Sequence, residues 1–338
     1  MTKAKVDSSD CSIAGLIDSA IQKQEAAQPP RQHLGASSIG QKCERKTWLE
    51  FRWAIKREFP GRILRLFRRG HSEEQTVLSD LRLAGFTVLE RDPETGRQFA
   101  FKEGHFAGSC DGIIANGPGI ASPALLEVKT HNADSFAKLV KHGVKASHPT
   151  HYAQMQVYMA AFGLTQAMYF AVCKDDDTIH TEMVDFDPVA ADTLKTKAQR
   201  IISDQVPPPP ISTDPTWYEC KMCNAHHDMC HCSKLTKQVN CRTCAHSTPE
   251  LDGTWHCAHW NATIPTVEAQ IAGCDSHLLH PDLVPFQVQV RHERIIWITP
   301  HGEIDTAKYK SREIVANAKA CAMGLRDRFT QFNPEIVG

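Results

Sequence analysis

Glu127 and Lys129 stand two residues apart in the run LLEVKT. On a β-strand that spacing sends both side chains to one face while Val128 turns to the other, so a carboxylate and an ammonium meet at one spot. Asp111, sixteen residues earlier in GSCDGII, falls at the start of the preceding strand-like run. Antiparallel pairing of the two runs would set its carboxylate beside that of Glu127. Two carboxylates so close repel each other unless a divalent cation binds them. Oxygen donors of this kind suit magnesium or manganese, which bind through one or two carboxylates plus waters and a substrate phosphate.

Helices offer further candidates. After Pro60-Gly61 the residues Ile63, Phe67, Gly70, Val77 and Leu81 recur at helical spacing. Glu74 falls on that apolar stripe, where a solvated carboxylate is out of place, whereas Glu73 falls on the polar face. His71 precedes Glu74 by one turn on the same side, so both can reach one cavity. In THYAQMQVYMAAFG, Gln154 and Tyr158 share a face distinct from the Tyr152, Met155, Met159 and Phe162 stripe. They could line the same cleft.

Of thirteen cysteines, six fall between Cys220 and Cys244 in close pairs. With no continuous apolar leader at the N-terminus, such pairs read as metal ligands rather than disulfides. Cys241-x-x-Cys244 followed by Cys257 and Cys274 reads as a structural zinc site, with His246 and His256 as substitutes. Cys220-x-x-Cys223 followed by Cys230 leaves a choice. A local zinc site could be completed by Cys232, His226, His227 or His231.

These groups need a scaffold. The chain of 338 residues exceeds one ordinary core, so a main domain of under two hundred residues with attached modules is expected. A hydrophobic fraction of 41% and a formal charge of −1 describe a globular protein that is not basic overall. Nucleic-acid binding needs only a local positive strip. Arg62, Arg65, Arg68 and Arg69 form one, and Lys129, Lys138, Lys141 and Lys145 another. No apolar run reaches membrane-spanning length, so a cytoplasmic protein with no membrane partner is expected.

Periodicity predicts helices over residues 12–27, from Ser37 through Phe51, and from Gly61 to Gly85. Strands are expected at 86–90, 98–102, 110–115 and 124–130, then helices at 133–143 and 150–163, strands at 167–174 and 179–186, and a helix at 188–205. The expected organisation is an N-terminal helical extension (1–30), a main domain (31–206), a proline-rich linker (207–216) and a Cys/His-rich metal-binding module (217–285). A hairpin and a helix from about Thr306 to Phe329 would follow (286–338).

The order Gly70-His71-x-x-Glu74, Asp111-Gly112, Glu127-x-Lys129 and Gln154-x-x-x-Tyr158 resembles the RecB-like branch of the PD-(D/E)XK nuclease superfamily, which includes phage recombination exonucleases and CRISPR adaptation nucleases. The match spans about residues 35 to 206. Cys110 stands where the family pattern has proline, which is not a ligand. The resemblance implies an α/β fold, a restriction-endonuclease-like mixed β-sheet flanked by helices, and metal-dependent hydrolysis of DNA phosphodiesters in recombination, repair or phage DNA processing. Asp111, Glu127 and the Val128 carbonyl would bind magnesium or manganese, with His71 and Glu74 binding directly or through water. Lys129 would orient or help deprotonate the attacking water and stabilise charge on the phosphate, and Gln154 and Tyr158 would position substrate or nucleophile.

The expected partners are DNA, as double-stranded ends or single strands, and a recombination or single-strand-binding protein, in a bacterial or phage-infected cell. In part of this branch one upstream and three downstream cysteines hold a four-iron four-sulfur cluster, a pattern that Cys43, Cys220, Cys223 and Cys230 resemble. Local zinc remains the alternative there. A catalytically idle DNA-binding or adaptor protein is the competing function, but the intact Asp, Glu and Lys set favours catalysis.

Overall fold

The computed structural model describes residues 12–223, 229–230, 236–284, 287–292, 294–299 and 302–315. Cys232, His226, His227 and His231, and the expected C-terminal helix beyond residue 315, lie outside the described residues.

The chain opens with helix α1 (Ile13–Ala26), capped by Ser12, whose side chain accepts from the Gly15 amide. A short strand β1 (Leu34–Gly35) leads into α2 (Ala36–Ile39) and α3 (Glu44–Phe51). These replace the single helix expected from Ser37 to Phe51. Gly40 closes α2 and Cys43 is the N-cap of α3. Helix α4 (Gly61–Leu83) follows, with strands β2 (Thr87–Leu89), β3 (Ala100–Glu103), β4 (Phe106–Ser109), β5 (Gly112–Asn116) and β6 (Ala124–His131). Then come α5 (Ala133–Ser147), α6 (Pro149–Phe162), β7 (Gln166–Cys173), β8 (Ile179–Asp185) and α7 (Pro188–Ser203).

The central sheet has the order β2-β5-β6-β7-β8. It is mixed: β6 and β7 are parallel, and the other neighbours are antiparallel. Helices cover both faces, which makes the fold the expected α/β one. Val77, Leu78 and Leu81 of α4 cluster with Val88, Ile114, Leu126, Val128 and Phe170 on one face. On the other, Leu125, Tyr169, Ala171 and Cys173 cluster with Leu139 of α5 and Met155, Tyr158 and Met159 of α6. A central strand buried on both sides reads as a nearly continuous apolar run, as LLEV does.

Two local features depart from the expected pattern. Strand β4 lies between the expected strands 98–102 and 110–115, in a stretch for which no element was expected. Gly104 turns the β3–β4 hairpin at φ +57°. Gly108 lies within β4, where a Cβ would come within 2.7 Å of the Tyr158 ring. Helix α5 runs past Gly143, which breaks it at φ 72°, and the Glu182 carboxylate accepts the Val144 amide at 2.8 Å to start the second segment.

After α7, Pro207 and Pro208 are buried, and the Pro208 carbonyl accepts from Arg45 at 3.2 Å. Helix α8 (Tyr218–Lys221) precedes the cysteine-rich stretch. There, strands β9 (Ser247–Pro249), β10 (Trp255–Cys257) and β11 (Ala262–Thr263) form a small antiparallel sheet beside helix α9 (Val267–Ala272). A last antiparallel sheet comprises β12 (Gln287–Arg291), β13 (Arg294–Thr299) and β14 (Gly302–Asp305). Among the described residues, no helix is long and apolar enough to cross a membrane.

Candidate active site

The β5–β6 register pairs Gly112 with Leu126, so Asp111, just before β5, comes opposite Glu127. The Asp111 carboxylate accepts the Val128 amide at 2.8 Å. Lys129 lies between the two acids: its ammonium contacts Glu127, stands 3.7 Å from Asp111 and donates to the Val128 carbonyl at 3.0 Å. Glu127 is fully buried, while side chains of Asp111 and Lys129 keep 16% and 25% of their surface in solvent. The site thus has a dry floor and a wet rim.

That burial governs the charges. Loss of solvent, opposed by Lys129 and reinforced by Asp111, pushes the Glu127 carboxyl up to about 7. Both its oxygens are buried and lack a well-formed hydrogen bond, so the ion contact with Lys129 is their main compensation. Burial works against the Lys129 ammonium, but Glu127 and then Asp111 outweigh it and hold the group charged.

Glu74 reaches the same place from α4. Its carboxyl is raised first by burial and then by Asp111, with His71 and Lys129 opposing. His71 is exposed beside it. The helical stripe is shifted from the expected one: Leu64, Val77, Leu78 and Leu81 are buried, but Phe67 is 47% exposed and rests edge-on against Phe59. Tyr158 of α6 is 2% exposed, and burial, followed by Glu127 and Asp111, keeps its hydroxyl protonated. Gln154 is buried one turn earlier. Glu73 and Glu74 are both half-buried, but Asp111 and Lys129 act on Glu74. Glu74→Gln is therefore expected to cost at least about tenfold more activity than Glu73→Gln, of the order of one charge-assisted hydrogen bond. Equal losses in a steady-state cleavage assay would mean that Glu74 is not part of the site.

A second polar group adjoins the acids and was missed in the sequence. Tyr169 is the register partner of Glu127 on β7. Its hydroxyl bonds His131 Nε2 at 2.9 Å and His151 Nδ1 at 2.7 Å. His131 and His151 sit in runs whose periodicity described only their helix or strand, and only the long-range fold joins them.

The cysteines gather in two places. Cys43 and Cys223 both raise the Cys220 thiol after burial does, and the same two act on Cys230 after burial and Arg45. An ion pair of 3.0 Å between Lys42 and Glu219 closes the two segments. Cys241, Cys244, Cys257 and Cys274 line one cavity together with His246 and His259. His259, rather than the expected His256, joins that lining. Burial, then Cys244, Cys274 and Cys257, pushes the Cys241 thiol up to about 11. Among the described residues, no three His, Cys, Asp or Glu side chains are already arranged around one metal-sized position.

No family model and no curated protein matches the chain. Solved structures with similarity include an alkaline exonuclease from Laribacter hongkongensis, at 16% identity over 54% of this chain and 90% of that one, with a TM-score of 0.38. Its complex with dAMP matches at 16% identity over 55% and 89%, also at 0.38. A phage-related exonuclease from Haemophilus somnus 129PT matches at 14% identity over 50% and 91%, at 0.35.

Proposed function

We propose that this chain is a metal-dependent DNA nuclease that hydrolyses phosphodiester bonds at Asp111, Glu127 and Lys129. The observation that carries the reading is the fully buried carboxylate of Glu127, set beside a second carboxylate and a backbone carbonyl with the Lys129 ammonium against it. One ammonium shared by two close carboxylates leaves a negative, oxygen-lined site, and such a donor set fits magnesium or manganese. Asp111, Glu127 and the Val128 carbonyl would hold the ion, with Glu74 and His71 at its outer side.

When bound, a divalent ion supplies positive charge opposite the phosphate oxygens and a more acidic water. Lys129 keeps its ammonium at the rim, where it orients the attacking water and stabilises charge on the phosphate. Gln154 and Tyr158, buried one turn apart on α6, would position substrate or nucleophile, with Tyr158 held as a phenol. The test is cleavage of end-labelled linear, circular and single-stranded DNA with manganese. Loss of label from linear DNA with circular DNA intact would mark an exonuclease; no cleavage of any substrate would favour the idle DNA-binding alternative.

Both cysteine groups are read as metal centres that hold the structure. Burial, with neighbouring cysteines adding to it, raises the thiols of Cys220, Cys230, Cys241 and Cys244, which makes them poor thiolates until a cation offsets it. Cys241, Cys244, Cys257 and Cys274 would take zinc. Cys43, Cys220, Cys223 and Cys230 would take a four-iron four-sulfur cluster, closing a loop of nearly the whole domain. Protein purified without oxygen is then expected to be brown and to contain iron and sulfide, and Cys43→Ser to bleach it. A colourless preparation with two zinc ions, indifferent to Cys43→Ser, would instead assign the first group to local zinc.

A further inference from the structure

Helix α4 is covered along only part of its length. Val77, Leu78 and Leu81 of its second half pack against the central sheet. Helical spacing sets Ile63 and Phe67 of its first half on the same side, yet neither takes part in the two clusters that line that sheet. Phe67 leaves 47% of its surface in solvent. Phe59 meets its ring edge-on, with centroids 5.1 Å apart and planes at 83°, and the Phe59 carbonyl accepts from Gln22 of α1 at 3.2 Å. The exposed ring is therefore held in place rather than loose. Gly70 follows one turn later, and a Cβ built there would meet nothing within 4 Å. Glycine inside a helix destabilises it relative to alanine, and here no neighbouring atom of the protein requires the missing methyl. The bare patch ends at Glu74, a further turn along the same side.

Positive charge edges this patch. Arg62, Arg68 and Arg69 are exposed. Among the described residues Asp18 of α1 pairs with Arg65, and no carboxylate pairs with the other three. Arg69 donates to the Lys174 carbonyl at 3.4 Å, just past the end of β7. An open aromatic ring beside unpaired guanidiniums offers a π-face to a base and positive charge to the phosphates on either side of it. A duplex keeps its base faces within the stack and could use the arginines alone. Seven residues separate Phe67 from Glu74, roughly 10 Å at about 1.5 Å per residue. That is about three nucleotides at the stacked repeat of about 3.4 Å.

We infer that Phe67 is a stacking platform for an unpaired DNA base, with the arginines of α4 on the neighbouring phosphates and the bare face of Gly70 giving the strand room to pass toward Glu74. The partner this surface fits is an unpaired strand or a frayed end. That the strand is one being cut rests on the nuclease reading; the stacking does not.

Fluorescence anisotropy with the full-length protein, without added magnesium or manganese, tests the platform on three labelled probes: oligothymidine, an abasic strand of the same length and a blunt hairpin duplex. Phe67→Ala is expected to weaken oligothymidine binding about tenfold, the size of one lost base stack, and to leave the abasic strand and the hairpin unchanged. Phe67→Trp should bind oligothymidine at least as tightly as the wild type. Phe67→Leu, apolar and able to fill the same space, should be as weak as Phe67→Ala, which separates stacking from a folding defect. Arg62→Ala should instead weaken all three probes and flatten the salt dependence. In cleavage assays with manganese, Phe67→Ala should raise KM for oligothymidine about tenfold. Unchanged oligothymidine affinity in Phe67→Ala, or an equal loss on the abasic strand, overturns the platform whether or not DNA is cut. A base-dependent loss in a protein that cuts no DNA upholds the platform and sinks the nuclease reading alone.

Discussion

If the proposed nuclease site is right, alanine at Asp111, Glu127 or Lys129 is expected to lower metal-dependent DNA cleavage by at least about a thousandfold, because each change would remove either a metal-binding oxygen or the charge facing the phosphate. The fold should survive. Glu127 is fully buried, its contact with Lys129 does not offset the loss of solvent, and its carboxyl is pushed up to about 7. A folded-state pKa raised above the unfolded value favours folding below the unfolded pKa of about 4.5 and loses that contribution as pH rises through about 7. Metal-free Glu127→Gln should therefore match or exceed the wild type in thermal stability at pH 8, by up to roughly 3 kcal/mol. The gap should close as pH falls toward 5. Wild-type cleavage by Asp111→Ala or Glu127→Ala would sink the proposed site. A Glu127→Gln protein less stable than wild type at pH 8 would show that the Lys129 contact outweighs burial.

What could be read from the sequence here was what depends on local period. The two-residue spacing of Glu127 and Lys129 fixes their common face once LLEVKT is a strand, and Asp111 needs only the next antiparallel register to reach them. Glu74 could be placed because a single helix carries it, though the stripe was drawn through Phe67 when Leu64 and Leu78 are the buried positions. Strand β4 was hidden because its Gly108 makes room for Tyr158, a residue fifty positions away. His131, His151 and Tyr169 were invisible for the same reason: their partners come from β6, β7 and the helices over them, and none of those pairings has a local spacing.

Long-range pairing also joins the cysteine-rich segment to the sheet domain, and here one residue dominates. Arg242, inside the Cys241-x-x-Cys244 turn, is 2% exposed. Its guanidinium donates to the carbonyls of Phe51 at 3.1 Å and Gln32 at 2.9 Å and to the Gln270 side chain at 3.0 Å. It lies over the Trp53 ring at 3.7 Å, and Trp255 and Phe51 flank it at 4.9 and 5.7 Å. Three acceptors and a desolvated cation–π contact are thus met by one planar group, which lysine cannot imitate.

Arg242→Ala is expected to destabilise the protein by about 3–5 kcal/mol, the cost of buried acceptors left unpaired plus a cavity among aromatic rings. At about 2–4 °C per kcal/mol, the melting midpoint should fall by roughly 10 °C. Arg242→Lys should recover little of it. Arg291→Ala is the fitting control, since its ion pair with Glu303 at 2.8 Å is solvent-exposed and contributes under about 1 kcal/mol. Calorimetry should also show whether the wild-type transition splits in two once Arg242 is gone, as expected if this side chain couples the cysteine-rich segment to the sheet that carries Glu127. A drop in midpoint no larger than that of Arg291→Ala would mean that the two parts are held together elsewhere, through Arg52 and its bonds to Gln205 and the Ser247 carbonyl.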